Sequence, residues 1–161
     1  MIVVADAGPL IALAQIGHVA LLESLYGRLH ISPAVRDEVT ISGHGHPGSA
    51  EIAGASWIEV VLPQDRTAVA LLRERLDLGE SEAIVLAIEL HADLLLMDEA
   101  RGRRIAEARG LKKTGTIGTL IIAKKRGLIP AVSPLLDELV ARGFRMSEEL
   151  YRSTRVLAGE T

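Results

Sequence analysis

Short apolar runs alternate with helical patterns along the chain. IVVA at 2–5 and LLLM at 94–97 are continuous and apolar, as is typical of strands buried on both faces of a parallel sheet. Other runs predict strands at 29–32 and 57–62 and a short strand near 112–114. Apolar residues at helical spacing predict helices over 10–16, 18–26, 33–39, 65–77, 79–90, 99–109, 116–126, 132–142 and 147–157, and 41–55 is predicted to be a loop with a short helix. Strands that alternate with helices predict a three-layer α/β/α fold with a central parallel sheet.

Length and composition narrow the class of protein. The 161 residues suit one domain spanning 1–161, and the 48% of hydrophobic residues is ordinary for a globular chain. Cysteine is absent, so disulfides and thiolate zinc sites are excluded. The apolar start lacks a basic segment typical of a signal peptide, and no apolar run is long enough to span a membrane, so we expect a cytoplasmic protein.

Charge is unevenly distributed. The net charge is −3, but residues 1–80 carry 5 basic and 10 acidic side chains, whereas residues 81–161 carry 13 and 11. Aromatic residues make up only 2%, too few for a base-stacking surface. Any contact with nucleic acid is therefore expected to be directed mainly at phosphates.

Two predicted strands end on a carboxylate. Asp6 follows the first apolar run and Asp98 follows LLLM. Sites in open α/β sheets form beyond the carboxyl ends of the strands, so the two side chains are candidate neighbours. The alternative for each is a helix cap that accepts backbone hydrogen bonds.

Further acidic side chains are predicted near the same edge. Glu38 shares a helical stripe with Ala34 and Val35, where an unpaired carboxylate is costly to bury. Glu80 and Glu82 both lie in the first turn of a predicted helix, where acids are favoured by the helix dipole whatever their function. Of these two we select Glu82, because it directly precedes the apolar run.

Four carboxylates at one edge repel one another unless cations lie between them. Ligands that are all oxygen suit hard ions such as Mg²⁺ or Mn²⁺. Such ions activate water and stabilise the leaving oxygen in phosphodiester hydrolysis, so the pattern indicates nuclease chemistry.

Four stretches of the chain, which run nearly from end to end, read VVADAGPLIAL, ISPAVRDEV, LDLGESEAIVLAIELHADLLLMDEARGRRIA and TGTIGTLIIAKKRGLI. Their order and spacing resemble the PIN-domain family, in particular prokaryotic PIN-like proteins related to VapC-type toxin ribonucleases. The resemblance implies a metal site and catalytic set on Asp6, Glu38, Glu82 and Asp98. It also implies Mg²⁺- or Mn²⁺-dependent cleavage of RNA, a toxin role with an antitoxin protein as partner, and a homodimer.

The chain departs from the resemblance in two places. Ala7 and Gly8 stand where many relatives have a hydroxyl, and the third acid is Glu where many toxins have Asp. One alternative is therefore a catalytically weak PIN-like module that binds RNA or a protein. A receiver-type signalling domain is a second alternative, but the first strand offers only one of the two acids that such a domain needs.

Basic and hydroxyl side chains near the predicted site are candidates for binding RNA phosphates. Arg101 and Arg103 follow Asp98 closely, and Thr116 begins a helix, where it is either a phosphate or metal-water contact or a simple N-cap. His44 and His46 are spaced for a transition metal, but no third ligand is evident, and a loop is the favoured interpretation. The sequence contains no nucleophile elbow and no P-loop.

Overall fold

The computed structural model of the chain describes residues 1–41 and 47–161. The strands in these ranges are β1 (Val3–Ala5), β2 (Leu29–Ile31), β3 (Ile58–Val60), β4 (Leu94–Leu96) and β5 (Lys113–Thr114). The helices are α1 (Ala7–Gln15), α2 (Ala20–Tyr26), α3 (Pro33–Thr40), α4 (Ser49–Ala53), α5 (Arg66–Leu72), α6 (Leu78–Glu89), α7 (Ala100–Ala108), α8 (Thr116–Lys125), α9 (Ser133–Ala141) and α10 (Glu148–Leu157).

All five strands form one parallel sheet in the order β3-β2-β1-β4-β5. Strand β1 is central, with Val3 opposite Leu94 and Ala5 opposite Leu96 on β4. The residues of β1 are fully buried, which requires helices on both faces of the sheet. The predicted three-layer α/β/α fold is therefore confirmed. None of the helices in the described ranges has both the length and the hydropathy to cross a lipid bilayer.

One predicted helix is shorter in the structure than the apolar pattern indicates. The pattern over 65–77 predicts a continuous helix, but α5 ends at Leu72 and a turn leads to α6. Asp77 begins α6 through a capping box, in which its side chain accepts a hydrogen bond from Glu80 N and the Glu80 side chain accepts one from Asp77 N. The capping box satisfies two backbone N–H groups and fixes the helix start at this point.

Glu160 joins the end of the described chain to two helices. Its carboxylate accepts hydrogen bonds from Lys124 on α8 at 2.8 Å and, near the start of α9, from Val132 N at 2.8 Å and the Ser133 hydroxyl at 2.6 Å. Burial would raise the pKa of Glu160, but these hydrogen bonds outweigh burial and lower it to about 2. The contacts fasten the segment after α10 against α8 and α9.

Candidate active site

The sheet order places Asp6 and Asp98 at the same edge. The chain leaves β1 toward β2 and β3 on one side and returns through β4 on the other, so β1 and β4 flank the point where the strand order reverses. Ligands of open α/β sheets bind at such points. Asp6 directly follows β1, and its backbone N–H donates to Leu96 O at 2.9 Å, while Asp98 lies two residues beyond β4.

Asp6 is a buried carboxylate that does not cap a helix. It occupies the N-cap position of α1, but its side chain makes no capping hydrogen bond. Burial raises its pKa from 3.8 to about 7, against the opposing effect of the Ala7 N–H. The negative charges of Glu38, Glu80 and Asp77 raise the pKa further. The environment of Asp6 is therefore apolar and negatively charged, which disfavours an ionised carboxylate in the absence of a cation.

Glu38 on α3 and Glu80 on α6 lie close enough to Asp6 for their charges to raise its pKa, and the two helices pack against each other. The Glu38 carboxylate occupies space left open at Gly79, where a Cβ atom would lie 2.5 Å from Glu38 Oε1. Burial raises the pKa of Glu38, and the charge of Asp77 adds to this effect. Burial also raises the pKa of Glu80, helped by the charges of Asp77 and Glu99 and opposed by the Asp77 N–H.

Asp77 is a neighbour of this cluster that sequence reasoning missed. Its charge raises the pKa values of Asp6, Glu38 and Glu80. The D-x-x-E spacing of Asp77 and Glu80 is a recognisable start signal for a helix. That signal could have located Asp77 at the beginning of α6, next to Glu80.

Glu82 is buried but makes different contacts. Its Oε1 accepts a hydrogen bond from Ala34 N at 3.1 Å, and its Oε2 pairs with Arg66 at 2.8 Å. Because Pro33 has no N–H, Ala34 supplies the first backbone N–H group of α3. Glu82 therefore caps α3 from another helix, and these contacts favour Glu80 over Glu82 as the acid beside Asp6.

Thr116 fixes the orientation of Asp98. The Thr116 N–H donates to Asp98 Oδ1 at 2.8 Å and its hydroxyl donates to Oδ2 at 2.7 Å. The N-cap of α8 is Gly115, so the interpretation of Thr116 as a simple N-cap is wrong. A Cβ atom at Gly115 would lie 2.5 Å from Asp98 Oδ1. Glycine at this position leaves the space that the carboxylate occupies.

The two arginines predicted to meet RNA differ in their surroundings. Arg101 is exposed, and its Nη1 donates only a long hydrogen bond, 3.3 Å, to Arg75 O. Arg103 is half-buried, and its Nη1 donates to Met97 O at 2.9 Å. Arg103 also lines, with Asp98 and Phe144, a cavity of about 430 Å³ beside α8 and α10. His44 and His46 lie outside the described residues.

The carboxylates at this edge of the sheet are suitable ligands for a hard cation, although they do not converge on a single point in the structure. Within residues 1–41 and 47–161, no three carboxylate or imidazole groups converge closely enough to hold an ion as they stand. The groups at the edge are nevertheless all carboxylates, and Asp6 is buried among like charges. Oxygen ligands of this kind suit Mg²⁺ or Mn²⁺.

The chain thus has a parallel three-layer α/β/α fold with acidic side chains beyond the ends of its central strands. The sequence model of the PIN domain family matches residues 2–160. The chain therefore belongs to the PIN domain family, as its resemblance predicted, and the receiver-type alternative is excluded. PIN domains are generally nucleases and typically use divalent metals, which supports a hydrolase activity on nucleic acid for this chain. No curated protein matches this chain.

Proposed function

We propose that this protein is a Mg²⁺- or Mn²⁺-dependent endoribonuclease whose metal is held by Asp6, Glu38, Glu80 and Asp98. The observation that carries the proposal is the state of Asp6, a buried carboxylate without a capping role, among other acids at the switch point of the sheet. A divalent cation would favour the ionised carboxylate against the burial and the neighbouring negative charges that raise the pKa of Asp6. When bound, such an ion supplies activation of water and stabilisation of the leaving oxygen.

Other residues of the chain act by holding these ligands. Thr116 donates to both carboxylate oxygens of Asp98, which limits its rotation. The capping box with Asp77 orients Glu80 at the start of α6. Glu82 binds the start of α3 and so positions the helix that carries Glu38. Glu82, which the sequence pattern favoured as a ligand, is proposed here as a positioning residue.

Cleavage of a single-stranded RNA in Mn²⁺ tests the proposal. We expect the wild type to cleave it, and we expect Asp6→Asn, Glu80→Gln and Asp98→Asn to lose most of this activity. Glu80→Gln is informative because glutamine preserves the capping box while removing the charge. Glu138→Gln, on an exposed side chain of α9, is the matched control. Equal cleavage by all variants would contradict the proposal.

A weakly catalytic PIN-like module that binds RNA or a protein is the second candidate. The observation in its favour is that Ala7 and Gly8 offer no hydroxyl beside Asp6. Binding of RNA without cleavage in Mn²⁺, together with stabilisation of the wild type by Mn²⁺, would favour this candidate over the nuclease.

The biological setting is a further part of the proposal. We place the protein in the cytoplasm as the toxin of a toxin-antitoxin pair, with an antitoxin protein as partner, and as a homodimer. Growth arrest on induction of the wild type, absent with Asp98→Asn, would support the toxin role. Light scattering of the purified protein measures the oligomeric state.

A further inference from the structure

Four arginines line a groove beside the acidic cluster. Arg75, before α6, and Arg101, Arg104 and Arg109, on or next to α7, surround a cavity of about 630 Å³. We call this cavity the arginine groove. One acidic side chain, Glu74, also lines it. The groove is strongly basic in a chain whose net charge is −3.

These guanidinium groups are largely available to a ligand, because the hydrogen bonds that Arg101 and Arg109 donate to Arg75 O and Ile105 O are long, at 3.3 and 3.5 Å. All four arginines are exposed, and none forms an ion pair with a carboxylate in the described part of the chain, where the paired arginines are Arg28, Arg36 and Arg66. Clustered arginines without acidic partners repel one another, so an anionic ligand stabilises them. Guanidinium groups match phosphate oxygens in a planar, two-pronged geometry.

The arginine groove continues into the acidic cluster. A neighbouring cavity of about 200 Å³ is lined by Asp77, Glu80 and Glu99, and Arg75 and Arg101 line both cavities. The basic end is extended along α7, where Arg101 and Arg109 are separated by about 12 Å of helix rise. A polyanion held along α7 therefore passes directly to the carboxylates.

We propose that the arginine groove binds the sugar-phosphate backbone of the single-stranded RNA on one side of the bond to be cut. Arg104 and Arg109 hold phosphates away from the cluster, and Arg75 and Arg101 hold the phosphate that enters it. Arg103 has no part in this contact, because its side chain is directed to Met97 O and the cavity beside Phe144. The identity of the ligand rests on the proposed function, whereas binding in the groove does not require cleavage.

Fluorescence anisotropy with a labelled single-stranded RNA tests the groove. Measurements in EDTA at several salt concentrations prevent cleavage and give the slope of log affinity against log salt. Each phosphate contact on a single strand contributes about 0.7 to this slope. We expect Arg104→Gln/Arg109→Gln to lower the slope by about 1.4 and to weaken binding about 25-fold at 0.1 M salt.

Two further double variants make the result specific. Arg104→Lys/Arg109→Lys keeps both charges and is expected to keep the slope. Arg142→Gln/Arg152→Gln removes two exposed charges at the end of α9 and on α10 and is expected to bind as the wild type does. A single-stranded DNA of equal length is expected to bind the wild type comparably, because its phosphates offer the arginines the same negative charges.

Several results would overturn the inference. These are an unchanged slope in Arg104→Gln/Arg109→Gln, an equal loss in the control double variant, no salt-dependent binding by the wild type, or tighter binding of a polyglutamate peptide than of RNA. The outcome is separate from that of the proposed function. If the wild type binds RNA through the groove but never cleaves it, only the proposed nuclease activity is refuted. If the wild type cleaves RNA and Arg104→Gln/Arg109→Gln binds RNA unchanged, only the proposed role of the groove is refuted.

Discussion

Replacing Asp6 by asparagine is expected to stabilise the metal-free protein at neutral pH. The pKa of Asp6 rises from 3.8 in the unfolded chain to about 7 in the folded state. The folded state therefore binds more protons between these two values, so the stability contributed by Asp6 is complete below pH 3.8 and is lost as the pH rises to 7. A difference of about 3 pKa units corresponds to about 4 kcal/mol. Asparagine stays neutral and avoids this cost.

Urea unfolding in EDTA at pH 4 and pH 8 measures the effect. We expect the free energy of unfolding of Asp6→Asn to exceed that of the wild type by up to about 4 kcal/mol at pH 8 and to match it closely at pH 4. Asp37→Asn, on a half-exposed side chain of α3 that pairs with Arg36, is the control and should show no such pH-dependent gain. Mn²⁺ at about 100 times its dissociation constant should stabilise the wild type by about 2.7 kcal/mol and Asp6→Asn by less. An Asp6→Asn protein that is less stable than the wild type at pH 8 would refute the reasoning.

Three other substitutions probe the supporting contacts. Glu160→Gln should lower the free energy of unfolding by about 1.5 kcal/mol at pH 7. The pKa of Glu160 is lowered to about 2 in the folded protein, so the advantage of the wild type in urea unfolding should disappear as the pH falls from 4.5 toward 2. Glu82→Ala should cost about 2 kcal/mol in the same assay because the start of α3 loses its acceptor; an unchanged stability would contradict the capping role. Gly115→Ala should displace the adjacent Asp98 carboxylate and lower RNA cleavage, whereas Gly54→Ala, with ordinary spacing to its neighbours, should leave cleavage unchanged.

The elements of the fold follow well from local patterns, and the contacts of one buried acid do not. Continuous apolar runs predict β1 and β4 because both strands are buried on both faces. The preference for Glu82 over Glu80 came from its position directly before the apolar run of α6. Glu82 is buried there, but its carboxylate contacts Ala34 and Arg66, which belong to two other helices. Contacts with residues that are distant in sequence cannot be predicted from helical periodicity.

The early end of the helix predicted at 65–77 also shows a limit of periodicity. The apolar spacing continues through the segment, but the Asp77 capping box fixes a new helix start. The capping residues can be recognised in the sequence, and they determine where the helix begins even where the apolar spacing continues across that point. A rule that weighs such start signals above periodicity would have placed Asp77 at the start of α6, beside Glu80, instead of at the end of the preceding helix.

The central position of β1 has a consequence for synthesis of the protein. The first strand pairs with β4, which lies about ninety residues later, as the contact between Ile2 N and Asp93 illustrates. A chain emerging from the ribosome carries Asp6, Glu38 and Glu80 before it has the strand that leads to Asp98, and Thr116 follows later still. Pairing across so long a separation is slow to form. The proposed active site therefore cannot form on an incomplete nascent chain, while the chain is still close to its messenger RNA on the ribosome.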